Sequence, residues 1–189
     1  VSSEECNWID VVNISAPPPQ VELDMEPFLS ELKKIEDQIS SGKNVPKSMK
    51  EVCKQSLINI AKAQGYTVGK WMMFVPPSSA DQVWTILARS TISGKLGCSA
   101  KIAPCLGQNT NVLICVYVRD CTIITDVKRV LLTLQDAIKT LPDSIRPPTL
   151  AGFKPDIFTD LGIYQQNHWR LPPVLYTVEQ ISNWDVSEG

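Results

Sequence analysis

The densest run of chemically capable side chains lies in residues 154–176, where Lys154, Asp156, Asp160, Tyr164, Asn167, His168, Trp169 and Arg170 follow one another closely. Taken as an extended strand, residues 157–164 carry Ile157, Thr159, Leu161 and Ile163 on one face, while Asp156, Phe158, Asp160 and Tyr164 point the other way. That alternation predicts one apolar face and one able to line a groove. In the turn beyond, Trp169 beside His168, Arg170 and Asn167 joins an aromatic ring to basic groups, a combination that stacks on a nucleobase while contacting phosphate. The plainer assignment is structural, with Asp156 capping a turn and Trp169 plugging one end of a barrel-like sheet.

Other chemistries fail on spacing. Asp156 and Asp160 on a strand would stand about 13 Å apart, beyond the roughly 5–9.5 Å that paired glycosidase carboxylates need. Gly65-Tyr66-Thr67-Val68-Gly69-Lys70 lacks both the loop length and the hydroxyl of a phosphate-binding loop, because Trp71 follows the lysine. There is no Gly-x-Ser-x-Gly elbow, and His168 has no evident nucleophile partner in sequence. Zinc is disfavoured, since no Cys-x-x-Cys pair occurs and His168 is the sole histidine; Cys98, Cys105, Cys115 and Cys121 remain as a formal all-thiolate set. Asn13-Ile14-Ser15 is a glycosylation sequon that matters only in a secreted protein.

The elements that must position these residues come from a chain of 189 residues, 43% hydrophobic and 20% charged, enough for one domain with its own core. A net charge of −2 gives no global attraction to nucleic acid, so any RNA binding must come from a local patch. The longest apolar run, Val112–Val118, is too short to span a bilayer, and the sequence from Val1 lacks a basic-then-apolar leader pattern. A cytoplasmic protein with its six cysteines reduced is the expectation.

Residues 8–12 read as a short strand, followed by Ala16-Pro17-Pro18-Pro19, which cannot continue a ladder. Helical spacing of Met25, Phe28, Leu29, Leu32, Ile35 and Ile39 predicts a helix over 24–40, capped by Asp24. Ser48 and Ser79, each three residues before Glu51 or Gln82, predict capping boxes for two further helices. The first should bury Met49, Val52, Cys53, Leu57, Ile60 and Ala61, and the second Val83, Trp84, Leu87 and Ala88. Strands are predicted over 70–75, 100–103 and Val112–Val118, the last apolar on both faces and therefore central. A fourth helix is predicted behind Thr125, residues 141–150 form a proline-rich loop, and 157–164 and 174–178 are the closing strands.

Over about residues 45–176 the sequence resembles the family of basophilic-leukaemia-expressed protein. The marks are Gly69-Lys70-Trp71, Trp84 with Ala88-Arg89, Gly94-Lys95-Leu96, Ala100-Lys101 before Ala103-Pro104, and Ile114-Cys115-Val116-Tyr117. A long signature follows from Lys154-Pro155-Asp156-Ile157-Phe158 through Gly162-Ile163-Tyr164, with Asn167, Trp169, Leu171, Pro173 and Tyr176 beyond. That family in turn resembles the cap-binding initiation factor 4E superfamily. The resemblance implies an α+β fold, a curved antiparallel β-sheet with α-helices packed on the convex face and a ligand groove on the concave one.

Cap recognition needs two aromatic rings around a methylated base, a carboxylate for its edge and basic groups for the phosphates. Where the cap-binding factors carry a sandwiching tryptophan and an acid, this chain has only Tyr66 and Thr67. Lys101 stands where those factors place a phosphate-holding arginine, and Pro104 and Cys105 follow without a second basic partner. Trp71 and Trp84 are expected to be core. The expectation is therefore a strand and proline arm over 1–23 and a single domain over 24–189. It is expected to bind RNA or a nucleotide weakly and without catalysis through Lys101, Lys154, Asp156, Tyr164, Asn167 and Trp169, with no cofactor, metal or membrane involved. A protein partner on the helical face, and an enzyme with an unrecognised site, are the alternatives.

Overall fold

Alternation along seven residues decides where the two faces of the sheet lie. Strand β2 (Gly69–Val75) buries Trp71, Met73 and Val75 in the main core and turns Lys70, Met72 and Phe74 the other way. Strand β4 (Val112–Val118) repeats the pattern, with Ile114 and Val116 in that core and Leu113, Cys115 and Tyr117 opposite. The computed structural model describes residues 8–19, 21–105 and 110–185, so Cys6 and the last four residues of the expected domain lie outside them.

With β1 (Ile9–Val12), β3 (Ser99–Ile102) and β5 (Thr149–Pro155), these strands form one open sheet in the order β1-β3-β4-β2-β5, antiparallel at every pairing. The strand expected to be central is the third of five. Helix α3 (Pro77–Ile92) joins β2 to β3 and helix α4 (Ile124–Lys139) joins β4 to β5. Each connection skips one antiparallel strand, so the two form interleaved split β-α-β units. Strand β1 pairs with β3 along Ile9–Val12, and the Arg119 guanidinium donates to the Pro17 carbonyl of the proline arm.

The helices cover the face that carries Trp71. Val127, Val130, Leu131 and Leu134 of α4, and Val83 and Leu87 of α3, bury at helical spacing into the same cluster as Met73, Ile114 and Phe153. Helix α1 (Glu26–Ser40) adds Phe28, Leu32 and Ile35, and α2 (Lys47–Ala63) adds Cys53, Leu57 and Ala61. Val52, expected on the buried stripe of α2, faces water. Trp71 is fully buried and its indole Nε1 donates to the Val127 carbonyl at 3.0 Å, while Trp84 packs half-buried against the core.

Several boundaries differ from expectation for identifiable reasons. Prolines, not serines, begin the middle helices: Pro46 precedes α2 and Pro76 precedes α3, so Ser48 and Ser79 already lie inside the first turn and form no capping box. Asp24 sits one residue ahead of the α1 cap, where its Oδ1 accepts from the Glu26 amide at 3.0 Å. Thr125 lies within α4, whose first residue is Ile124. Strand β5 takes the end of the expected loop and stops at Pro155, and the expected strand 157–164 is instead the short helix α5 (Asp156–Asp160) and a turn. The expected strand 174–178 is reduced to one bridge, Phe153 to Tyr176, before helix α6 (Val178–Ser182). A capping box does open α6: the Gln180 amide donates to Thr177 Oγ1 at 3.1 Å, and the Thr177 amide donates to Gln180 Oε1 at 2.8 Å.

Candidate functional site

The face opposite the helices carries the chain's concentrated polar chemistry. Register places Lys70 of β2 between Tyr117 of β4 and Lys154 of β5, and places Lys101 of β3 opposite Cys115. Two lysines therefore stand directly across from each other, an arrangement that repels unless one charge is answered. Helix α5 answers one of them. Asp156 and Thr159 lie three residues apart on one side of it, and Lys70 Nζ donates to Asp156 Oδ1 at 2.6 Å and to Thr159 Oγ1 at 3.1 Å.

Lys101 and Lys154 meet aromatic rings. Lys101 Nζ lies 4.6 Å from the centre of the Trp8 ring and 5.4 Å from that of Tyr117, while Lys154 Nζ lies 4.0 Å from the centre of the Tyr164 ring. Trp8 and Tyr164 are both exposed, 40% and 56%, although each carries a large apolar ring. Burial, helped by the neighbouring Lys70 ammonium and opposed by Asp156, pulls the Lys154 ammonium down to about 8. Burial also pushes the Asp156 carboxyl up against the pull of Lys70, and raises the Tyr117 and Tyr66 hydroxyls, the latter also through its hydrogen bond to Asp160 Oδ2 at 2.8 Å.

Two hollows share Trp8 and Lys101. One, of about 420 Å³, reaches under the proline arm and carries both charge signs, with Asp10 and Asp156 beside Lys101. The other, of about 410 Å³, is lined by Lys70, Lys101 and Lys154 and, among the described residues, by no carboxylate, with Met72, Leu113 and Val174 among its apolar walls. A volume of several hundred cubic ångströms suits a small organic ligand, and the second hollow suits an anionic one. The buried thiols offer little chemistry. Burial raises Cys53 and Cys115 to about 11 and Cys121 to about 12, which makes them inert packing groups at neutral pH. Among the described residues no group of three or more His, Cys, Asp or Glu could hold a metal ion, and no helix is long and apolar enough to cross a membrane.

The structure brings Lys101, Lys154, Asp156 and Tyr164 together on this face and separates Asn167 and Trp169 from it. The Asn167 amide staples its own loop: Nδ2 donates to the carbonyls of Tyr164 and Leu171 at 2.6 and 2.7 Å, and Oδ1 accepts from the Leu171 amide at 3.0 Å. Trp169 packs against the main core, with His168 beside it 3.7 Å from Glu36 of α1. Sequence reasoning missed Trp8, Lys70 and Tyr117. The alternation of β2 was enough to send Lys70 away from buried Trp71, but the pairing that sets it beside Lys154 and Tyr117 is a tertiary fact.

Comparison with known families places this geometry in context: the family model described as basophilic leukemia-expressed protein Bles03 matches residues 20–162. The match takes in α1 to α5 and the strands that carry all three lysines.

Proposed function

The chain belongs to the family of basophilic leukemia-expressed protein Bles03, and from that premise we propose that its open sheet face binds a nucleotide or a single-stranded RNA without turning it over. The observation that carries the reading is the pair of exposed aromatic rings, Trp8 and Tyr164, each against a lysine of one hollow that has no carboxylate among the described residues lining it. Rings of this kind stack on bases of any sequence, and lysines beside them meet the phosphates. Tyr66, whose hydroxyl is held by Asp160, supports the absence of true cap recognition, since it offers neither a second indole nor a free edge-reading acid. The proposal includes an initiation factor 4E-like bend of the sheet, with the helices on its convex side, and a cytoplasmic setting. The succession from β2 to β5 supports the bend.

A fluorescence titration with capped, uncapped and simple nucleotides tests the reading. A saturating change is expected that Trp8→Phe largely removes, and Lys101→Ala should weaken binding and reduce its salt slope by about 1. Binding should be tightest below about pH 8, where Lys154 is charged, and weaken as pH rises through that value. No response to any of the three ligands, together with no RNA crosslinking, would defeat the function. Attention would then pass to a protein partner on the helical side, where Leu29, Val52, Ile92 and Leu132 are exposed.

A further inference from the structure

The three lysines of the open hollow are not equivalent. Lys70 is fixed by Asp156 and Thr159, and Lys101 lies over Trp8 and Tyr117. Among the described residues no acceptor holds Lys154 Nζ; it meets only the face of Tyr164 and stands opposite Lys70 in the sheet. Lys154 is itself buried, 3% exposed, and Met72, Leu113, Ala151 and Val174 give the hollow apolar walls beside the polar Thr159 and Gln165. An amine placed among apolar walls and next to a fixed cation is the arrangement that activates lysine toward carbonyl carbon.

We propose that Lys154 is an amine nucleophile that takes small anionic carbonyl compounds, aldehydes and 2-oxo acids, as a Schiff base, the lysine-lined hollow drawing in their carboxylate. The neutral amine's lone pair forms the C–N bond as the carbonyl π pair moves to oxygen and takes up a proton, giving a carbinolamine. The hydroxyl then leaves as water with a second proton, and the nitrogen, having given up both its N–H protons, ends as a neutral imine. The step needs no oxidant or reductant. Tyr164, more than half exposed, covers the amine and must turn aside to admit the carbonyl compound.

Burial, with Lys70 second, favours the neutral amine of Lys154 against its carboxylate neighbours. Lys70 on β2 disfavours its protonation, while Asp156 and Asp160 on α5 and Cys115 on β4 oppose that effect, and burial outweighs them, leaving a value of about 8. Lys101 on β3 adds a second cation to the hollow and Tyr164 an uncharged ring. This inference goes beyond the nucleotide reading and does not depend on it, although both use the same hollow.

The test is reductive trapping of the full chain with glyoxylate and cyanoborohydride over a series of pH values, with the modified lysines located by mass spectrometry. Near neutral pH, Lys154 should gain its carboxymethyl group ~10-fold or more faster than the exposed Lys33 and Lys43, because burial lowers its own ammonium to about 8. Its rate should level off above about 8. Lys154→Arg should abolish the fast phase. Lys70→Met, which removes the repulsion and leaves Asp156 to attract Lys154, should slow labelling severalfold near neutrality and leave the high-pH plateau. Modification of Lys154 no faster than Lys33 and Lys43, or a pH profile parallel to theirs, overturns the proposal. Fast labelling beside a flat nucleotide titration would remove the nucleotide reading alone; the converse would remove this one alone.

Discussion

Lys70 and Lys154 occupy directly opposed sheet positions, and only Lys70 has a carboxylate bonded to it. Burial first and the opposed Lys70 second depress the Lys154 ammonium from 10.5 to about 8. Between those two values the unfolded chain holds a proton that the native chain has released, so stability rises with pH through the window and the penalty is complete below about 8. Full conversion at ~1.4 kcal/mol per pH unit is an upper bound, because the folded protein relaxes around a buried charge. Lys154→Met is therefore expected to stabilise the fold by ~1–2 kcal/mol at neutral pH, with the gain vanishing as pH rises past the ordinary lysine value. Urea denaturation at neutral and at strongly alkaline pH measures both; an equal or lower stability at neutral pH would show that Lys154 is not electrostatically strained. Sequence alone singled out Lys154, Asp156 and Tyr164 as chemically capable, and it could not tell that Asn167 would be held by hydrogen bonds within its own loop, because such bonds depend on where the chain turns.

Among the elements, β5 shows how a local irregularity serves the site. Its register against β2 shifts between Met72 and Met73, leaving Ala151 as an extra residue beside Gly152, a β-bulge that bends the strand at the wall of the hollow. Gly152 adopts φ +132°, and a Cβ there would meet the Tyr176 carbonyl oxygen and a Val174 methyl at 3.1 Å each. Gly152→Ala should destabilise the fold by ~1–3 kcal/mol through strained backbone alone, and a denaturation midpoint unchanged from the parent would rule out that strain. No residue pattern announces the bulge. The same region explains the misread strand: Ile157, Phe158 and Leu161 fit a buried turn of helix as well as an alternating strand, and the deciding signal was Pro155, which ends β5 and fixes the entry to α5. Long amphipathic stretches such as α1 and α4 were legible because their apolar spacing repeats over several turns.

For the molecule as a whole, the sheet separates two jobs. Its helix-covered side is an apolar core in which Trp71 lies fully buried, edge-on to Phe153 at 5.4 Å between ring centres, and hydrogen-bonded to α4; the other side carries the lysines, Lys70 and Lys154 buried and Lys101 half-buried. The antiparallel sheet was expected from the order of strands and helices together with family resemblance, whereas periodicity alone left a parallel sheet equally open; its strand count was not, since six were expected and five form among the described residues, β5 starting inside the expected loop. Separation of this kind has an energetic consequence. Trp71→Phe removes an indole, its hydrogen bond and part of its packing, and should cost ~2–3 kcal/mol of stability while leaving ligand response at Trp8 intact. Lys101→Ala should do the reverse, weakening binding with a stability change within about 0.5 kcal/mol. The two residues project from opposite faces and share no contact in common, so the double variant's stability should equal the sum of the single effects to within about 0.5 kcal/mol. A larger interaction energy would mean that the core and the open face are coupled through the sheet, and a ligand bound over Lys101 would then also tighten the helical layer behind it.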